Sequence, residues 1–277
     1  MDNRKQSILS AIRGVLQYHR EIGIKYYPGS SSVRSFMKAV PVAARKAEEK
    51  TTSFHPPSSL ERKDRRPPAK PLNELTLAQI KANLEEISTE VAGCSACDLH
   101  RLRIHPVAGR GNEQAKLLVI GDWLGIDEQN SGQGGRYLFG HRQDVMLSRM
   151  LAAIGLSVDQ VFITNVIKCA ISTSSQPHAD HVRSCVSYLR RQIAVIRPDL
   201  ICTMGMIAAR AVLEKKMPLS RLRGKFHMYS VDQQLQIPVL TTYHPTYLLQ
   251  NAEMKKATWL DLQLVAKKLG LPISPSR

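Results

Sequence analysis

Apolar and polar positions follow three regimes along this chain. From Gln6 to Ile24, apolar side chains recur at Ile8, Leu9, Ile12, Val15, Leu16 and Ile22, with Arg4, Lys5, Arg13 and Arg20 elsewhere, a spacing that predicts one amphipathic helix. Between Tyr27 and Pro71 the apolar content falls away. Ser30, Ser31, Ser32, Pro56, Pro57, Pro67 and Pro68 stand among Glu61, Arg62, Lys63, Asp64, Arg65 and Arg66. So little apolar surface cannot offset the entropy of ordering the chain, which predicts a flexible linker.

From Thr76 onward the pattern is that of a compact domain. A helix is predicted from Thr76 to Ala92, with Thr76 and Gln79 at the spacing of a capping box. Four short apolar runs read as strands: Lys116 to Gly121, Val161 to Ile167, Leu200 to Met204 and Pro238 to Thr242. Helical stretches lie between them, at Asp144 to Ile154, His181 to Ile196 and Ile207 to Glu214. Alternating strands and helices predict an α/β class fold, three layers α/β/α, around a four-stranded parallel sheet. The organisation read from the chain is a basic helix over 1–26, a basic Pro/Ser-rich linker over 27–75, a catalytic-type domain over 76–270 and a tail over 271–277.

Charge narrows the partner. The chain holds 39 Lys and Arg against 23 Asp and Glu, a net +16, and residues 1–75 supply half of that excess. Such a balance points to an acidic polymer, with nucleic acid ahead of a membrane surface. No apolar run reaches the roughly 18 to 20 residues of a bilayer span, and the N-terminus mixes charges with apolar residues instead of forming a signal-peptide core. A cytoplasmic protein without a membrane partner is expected, and a monomer. Five cysteines in a reducing compartment favour metal or catalytic use over a disulfide framework.

Two sets of residues could carry chemistry. Cys94 and Cys97 have the CxxC spacing that brings two thiolates to one metal centre, and Cys169 and Cys185 could complete a four-thiolate site for iron-sulfur or zinc. Cys202, inside the run Leu200 to Met204, reads as a buried inert thiol. The second set sits at the carboxyl ends of the predicted strands, where parallel sheets gather their functional loops. There stand Gly121-Asp122-Trp123-Leu124-Gly125, Thr164-Asn165, Gly205 and Tyr243-His244-Pro245. A carboxylate, an amide and an imidazole on one edge suit water activation, base reading and stabilisation of a departing anion. Two weaker motifs fall away. His19-Arg20-Glu21 matches the HxE of zinc deaminases, but Gly93 precedes the CxxC where that signature has Pro. Gly109-Arg110-Gly111 opens like a dinucleotide fingerprint, yet it precedes a strand instead of following one.

In order, CSACDLHRLRIHPVAGRGN, KLLVIGD, FGHRQDVMLSRMLAAIGL, ITNVIKC, Cys185 in its helix, IRPDLICTMG, LRGKFH and TTYHPTYLLQN occupy the stretch Cys94 to Gly270. This stretch resembles the family 4, iron-sulfur branch of the uracil-DNA glycosylase superfamily. The resemblance implies a uracil-DNA glycosylase-like fold with a 4Fe-4S cluster on Cys94, Cys97, Cys169 and Cys185. It implies that Phe139 stacks on a flipped uracil, Asn165 reads its edge beside Gly121, and His244 hydrogen-bonds its O2 while Asp122 polarises the attacking water. Pro245, Leu248 and Leu249 would meet DNA, one leucine wedging into the duplex.

The implied reaction is hydrolysis of the N-glycosidic bond in uracil-containing DNA, leaving an abasic site for repair. The alternatives are a glycosylase for another altered base, a non-catalytic DNA-binding member of the superfamily, and an interaction module. This sequence departs from the family at its first motif, where Gly-Asp-Trp-Leu-Gly replaces Gly-Glu-Ala-Pro-Gly. Asp122 is one methylene shorter than Glu, while Trp123 and Leu124 bear on the loop's rigidity and the room at the pocket floor. Leu138 stands where the family often has Pro, and Gln250 where it often has Arg.

Overall fold

The computed structural model describes residues 75–126 and 137–272. The basic helix, the linker and the tail beyond residue 272 lie outside the described residues. In chain order the helices are α1 (Leu77–Gly93), α2 (Leu99–Leu102), α3 (His141–Ala152), α4 (Ala179–Ile196), α5 (Met206–Leu213), α6 (Leu219–Leu222), α7 (Pro245–Gln250) and α8 (Lys255–Lys268). The strands are β1 (His105–Pro106), β2 (Arg110–Gly111), β3 (Leu117–Gly121), β4 (Gly125–Ile126), β5 (Phe162–Asn165), β6 (Cys169–Ser172), β7 (Leu200–Met204), β8 (Phe226–Ser230) and β9 (Gln236–Thr242).

Helix α1 begins as its sequence dictates. The Thr76 hydroxyl accepts from the Gln79 N–H and the Gln79 side chain accepts from the Thr76 N–H, closing the capping box.

The four predicted strands pair in parallel in the order β5, β3, β7, β9. Alternation within them builds two cores. Leu117 and Val119 of β3 face Leu147 and Leu151 of α3 and Leu262, Val265 and Ala266 of α8. Leu118 and Ile120 face Leu189, Ile193 and Ile196 of α4 and Ala208 and Val212 of α5. A strand buried on both sides must be apolar at every position, which is why these runs are continuous. The layers are therefore helix, sheet, helix, as expected.

The sheet is wider than four strands. Among the described residues it has six, because β2 and β8 add antiparallel edges to β5 and β9. Strand β2 is the Gly109-Arg110-Gly111 turn. A Cβ on Gly109 would lie 2.7 Å from Thr164 Oγ1 and one on Gly111 2.1 Å from the Val161 carbonyl, so close backbone approach to β5 explains both glycines. The run Val161 to Ile167 is also shorter as a strand than its pattern suggests, ending at Asn165. The chain then turns into β6, the centre of a separate three-stranded sheet between β1 and β4. That small sheet pairs Pro106 with Cys169 and Gly125 with Ile171. It thus ties the first loop to a cysteine-bearing strand. No described helix is long and apolar enough to cross a membrane.

Candidate active site

Parallel register decides what meets at the rim. Gly121 of β3 is the ladder partner of Asn165 of β5, and Met204 of β7 that of Thr242 of β9, two residues before His244. All four strands release their chains on the same edge. There Gly121 is the floor on which two side chains rest: an added Cβ would stand 2.3 Å from Phe139 Cε1 and 2.6 Å from Asn165 Oδ1. No other residue type fits. The Phe139 and His244 rings approach to 4.8 Å between centroids. Phe139, Asn165 and His244 are all buried.

Two polar atoms at this site stand out. Asn165 Oδ1 and His244 Nε2 are buried and find no hydrogen-bond partner among the described residues. Unpaired buried polar atoms are costly in a folded interior and are commonly reserved for a ligand. Asn165 Nδ2 donates to the Leu138 carbonyl at 2.6 Å, which turns Oδ1 the other way. His244 Nδ1 accepts from the Thr246 N–H at 3.2 Å, which leaves the ring proton on Nε2. Burial pushes the His244 pKa down to about 4, so the ring is neutral near pH 7. The site therefore offers one acceptor and one neutral donor beside an aromatic face.

Asp122 is turned elsewhere. Its Oδ1 accepts from the Ala208 N–H at 2.7 Å, and the N–H groups of Ile207 and Met206 also face the carboxyl, at the N-terminus of α5. Burial raises its pKa to about 7 and those N–H groups oppose the rise. Gly205 adopts φ +106°, and a Cβ there would strike Asp122 Oδ2 at 2.3 Å. One carboxyl oxygen thus caps the N-terminus of α5, a structural role beside the water-polarising one expected of Asp122. Trp123 and Leu124 leave the floor clear. Trp123 packs on the core of Leu99, Ile167, Cys169, Ile171 and Cys185, and Leu124 enters the core under α3.

The leucines after His244 divide. Leu248 is 1% exposed and packs in the core, whereas Leu249 is partly exposed and is the better placed of the two to meet DNA. Pro245 is buried as the first residue of α7. Sequence reasoning missed the supports beneath His244. Arg223 Nε donates to Asp261 at 3.0 Å, Thr242 Oγ1 donates to the same carboxylate at 2.6 Å, and the guanidinium lies 5.3 Å from the Tyr243 ring. The LRGKFH motif is where that pair was visible. A surface groove of about 900 Å³ adjoins the pair, lined also by Leu260, Leu264 and Lys267, and none of the base-site residues borders it.

The cysteines gather in a second place. Cys169 and Cys185 share the small core on which Cys97 packs, and none of the four is in a disulfide. Burial raises the Cys169 pKa to about 11, with Cys185 and Cys97 near enough to add to the rise, and Cys185 feels both Cys97 and Cys94. The four thiols are neighbours, though among the described residues no three His, Cys, Asp or Glu side chains are arranged to hold a metal ion. Cys202 stays apart in β7, fully buried, its thiol pushed up to about 12. Beside the group, Lys168 is buried and its Nζ donates to Thr164 Oγ1 at 2.7 Å and Gln192 Oε1 at 2.6 Å.

Comparison with known proteins agrees with this geometry. The model of the uracil DNA glycosylase superfamily matches residues 108–263. A type-4 uracil-DNA glycosylase of Archaeoglobus fulgidus is 32% identical over 193 residues, 68% of this chain and 94% of that protein. One of Saccharolobus solfataricus is 34% identical over 193 residues, covering 68% of this chain and 87% of the relative. A type-5 uracil-DNA glycosylase of Pyrobaculum aerophilum is 29% identical over 159 residues, 53% of this chain and 68% of that protein.

Proposed function

Because the chain belongs to the uracil-DNA glycosylase superfamily, we propose that it is a monofunctional glycosylase that removes uracil from DNA by hydrolysis and leaves an abasic site for repair. The observation that carries this reading is the pair of unpartnered buried atoms flanking Phe139. Uracil presents N3–H as a donor and carbonyl oxygens as acceptors. Asn165 Oδ1 takes the N3–H, and His244 Nε2–H gives its proton to O2 in a hydrogen bond. Cytosine has no hydrogen on N3 and meets Oδ1 with a lone pair.

The reaction follows from these positions. DNA supplies its phosphates to the basic surface, Leu249 enters the stack, and the extruded base lies against the Phe139 ring, worth roughly 1 to 3 kcal/mol of stacking. The C1′–N1 bond breaks with its electron pair moving onto the base. Negative charge gathers on O2, where the neutral imidazole donates without itself losing a proton. Water adds at C1′ and its proton leaves to solvent. Asp122 holds the first loop against α5 throughout.

Cys94, Cys97, Cys169 and Cys185 are close neighbours and would hold a 4Fe-4S cluster, which takes one thiolate per iron. When bound, the cluster supplies a cross-link among α1, β6 and α4 and no step of the hydrolysis.

The test is direct. Purified protein incubated with oligonucleotides bearing one uracil, as U:G, U:A or single strand, should yield an alkali-sensitive site at that position. Intact strands from all three substrates would remove the reading.

A further inference from the structure

One half-buried carboxylate beside the base site has no part in the mechanism above. Asp144 sits in the first turn of α3, its side chain 19% exposed. One of its oxygens accepts the Leu138 N–H and the other the Phe139 N–H, both at 2.9 Å. Arg110 Nη2 lies 3.8 Å away, and His141 on the same helix is the other titratable neighbour.

The Phe139 N–H and the Leu138 carbonyl belong to one trans peptide unit, so they point in opposite directions. Asp144 holds its N–H end, and the carbonyl end receives Asn165 Nδ2 at 2.6 Å. A carbonyl only accepts. As long as this peptide keeps its orientation, Asn165 must turn Nδ2 toward it and Oδ1 away. Were the peptide to rotate, an N–H would face Asn165 and the amide would reverse, presenting a donor where uracil also presents one.

We propose that Asp144 is a specificity-determining positioning residue: by fixing the 138–139 peptide it fixes the orientation of the Asn165 amide, and with it the choice of uracil. The inference rests on the uracil reading and deepens it. Asp144 touches no base and no reacting atom. It acts on Asn165 through the 138–139 peptide, whose N–H it holds and whose carbonyl aligns the amide.

The experiment is a double-mutant cycle under single-turnover conditions on a U:G oligonucleotide, using the full chain. Asp144→Ala is expected to slow uracil release by 30-fold or more and to weaken inhibition by free uracil by at least tenfold. In an Asn165→Ala background, adding Asp144→Ala should slow release by no more than a further twofold to threefold, since the amide it aligns is gone. Asp144→Asn, which keeps one acceptor and nearly the same volume, serves where the alanine variant does not fold. Multiplicative effects of Asp144 and Asn165, or unchanged uracil inhibition in a folded Asp144 variant, would overturn the inference. A wild-type protein that releases no uracil would instead overturn the functional reading, so the two failures are distinguishable.

Discussion

At the residue scale, His244 and Asp122 give opposite pH signatures, and both follow from burial. The imidazole has its pKa lowered to about 4, so between about 4 and 6.5 the unfolded chain binds more protons at this ring than the native one. Its contribution to stability is complete above about 6.5 and is lost as pH falls toward 4. Excision should accordingly show no acid limb near the ordinary histidine value, a point settled by a single-turnover rate profile between pH 5 and 8. Replacing His244 with Ala removes the donor at O2 and should cost about 2.7 to 4 kcal/mol of transition-state stabilisation, seen as a hundredfold to thousandfold slower release. For Asp122 the native pKa is raised to about 7, so its contribution is complete below about 4 and is lost as pH rises to 7. Asp122→Asn retains an acceptor for the Ala208 N–H and cannot ionise. Its melting temperature relative to the wild type should therefore improve from pH 5 to about pH 7 and level off above it, and a constant offset would show that Asp122 does not titrate in this range.

At the element scale, legibility tracked burial. The four parallel strands are apolar on both faces and so announced themselves, and the capping box of α1 was readable as two residues at fixed spacing. Strands β1, β2 and β4 are two residues long and carry no periodicity. Edge strand β8 exposes Phe226 and Met228, which blurs its alternation. Within the candidate site, Asn165 and His244 were placed by their loops, since strand order and register alone bring strand ends together, whereas Phe139 was visible only through the family resemblance. The aim of the Asp122 carboxyl and the depth of Leu248 were not, because both depend on how α5 and α7 seat against the sheet. Asp144 was hidden for the same reason: its partners are backbone groups, which leave no mark on residue identity. One element-scale expectation tests the seating of α5. Gly205→Ala puts a methyl against Asp122 in a backbone conformation that L-residues disfavour. It should destabilise the fold by more than about 1 kcal/mol in urea titration, and a neutral result would mean that the Asp122 loop is free to move.

At the scale of the whole molecule, two properties are expected to be separable. Binding to DNA should weaken steeply with salt, as release of counterions from phosphates requires, the slope of log affinity against log salt counting the cations engaged. Removal of residues 1–75, which hold half the net charge, should flatten that slope if the segment touches DNA, whereas an unchanged slope would confine contact to the remainder. Integrity should depend on the thiols. Cys185→Ser is expected to lose the broad visible absorption of an iron-sulfur protein and to lower the melting temperature by several degrees. A colourless wild-type protein containing zinc would contradict the cluster assignment.

The floor of the base site is not a loop. Gly121 and Asn165 face each other as the last pair of the β3–β5 ladder, so the hollow inherits the sheet's rigidity. Breathing motions that let flexible pockets admit misfit ligands on warming have no purchase here short of breaking the sheet itself. Fastidiousness and foldedness should then fail together: the preference for uracil should stay level as temperature rises and collapse only at the global melt.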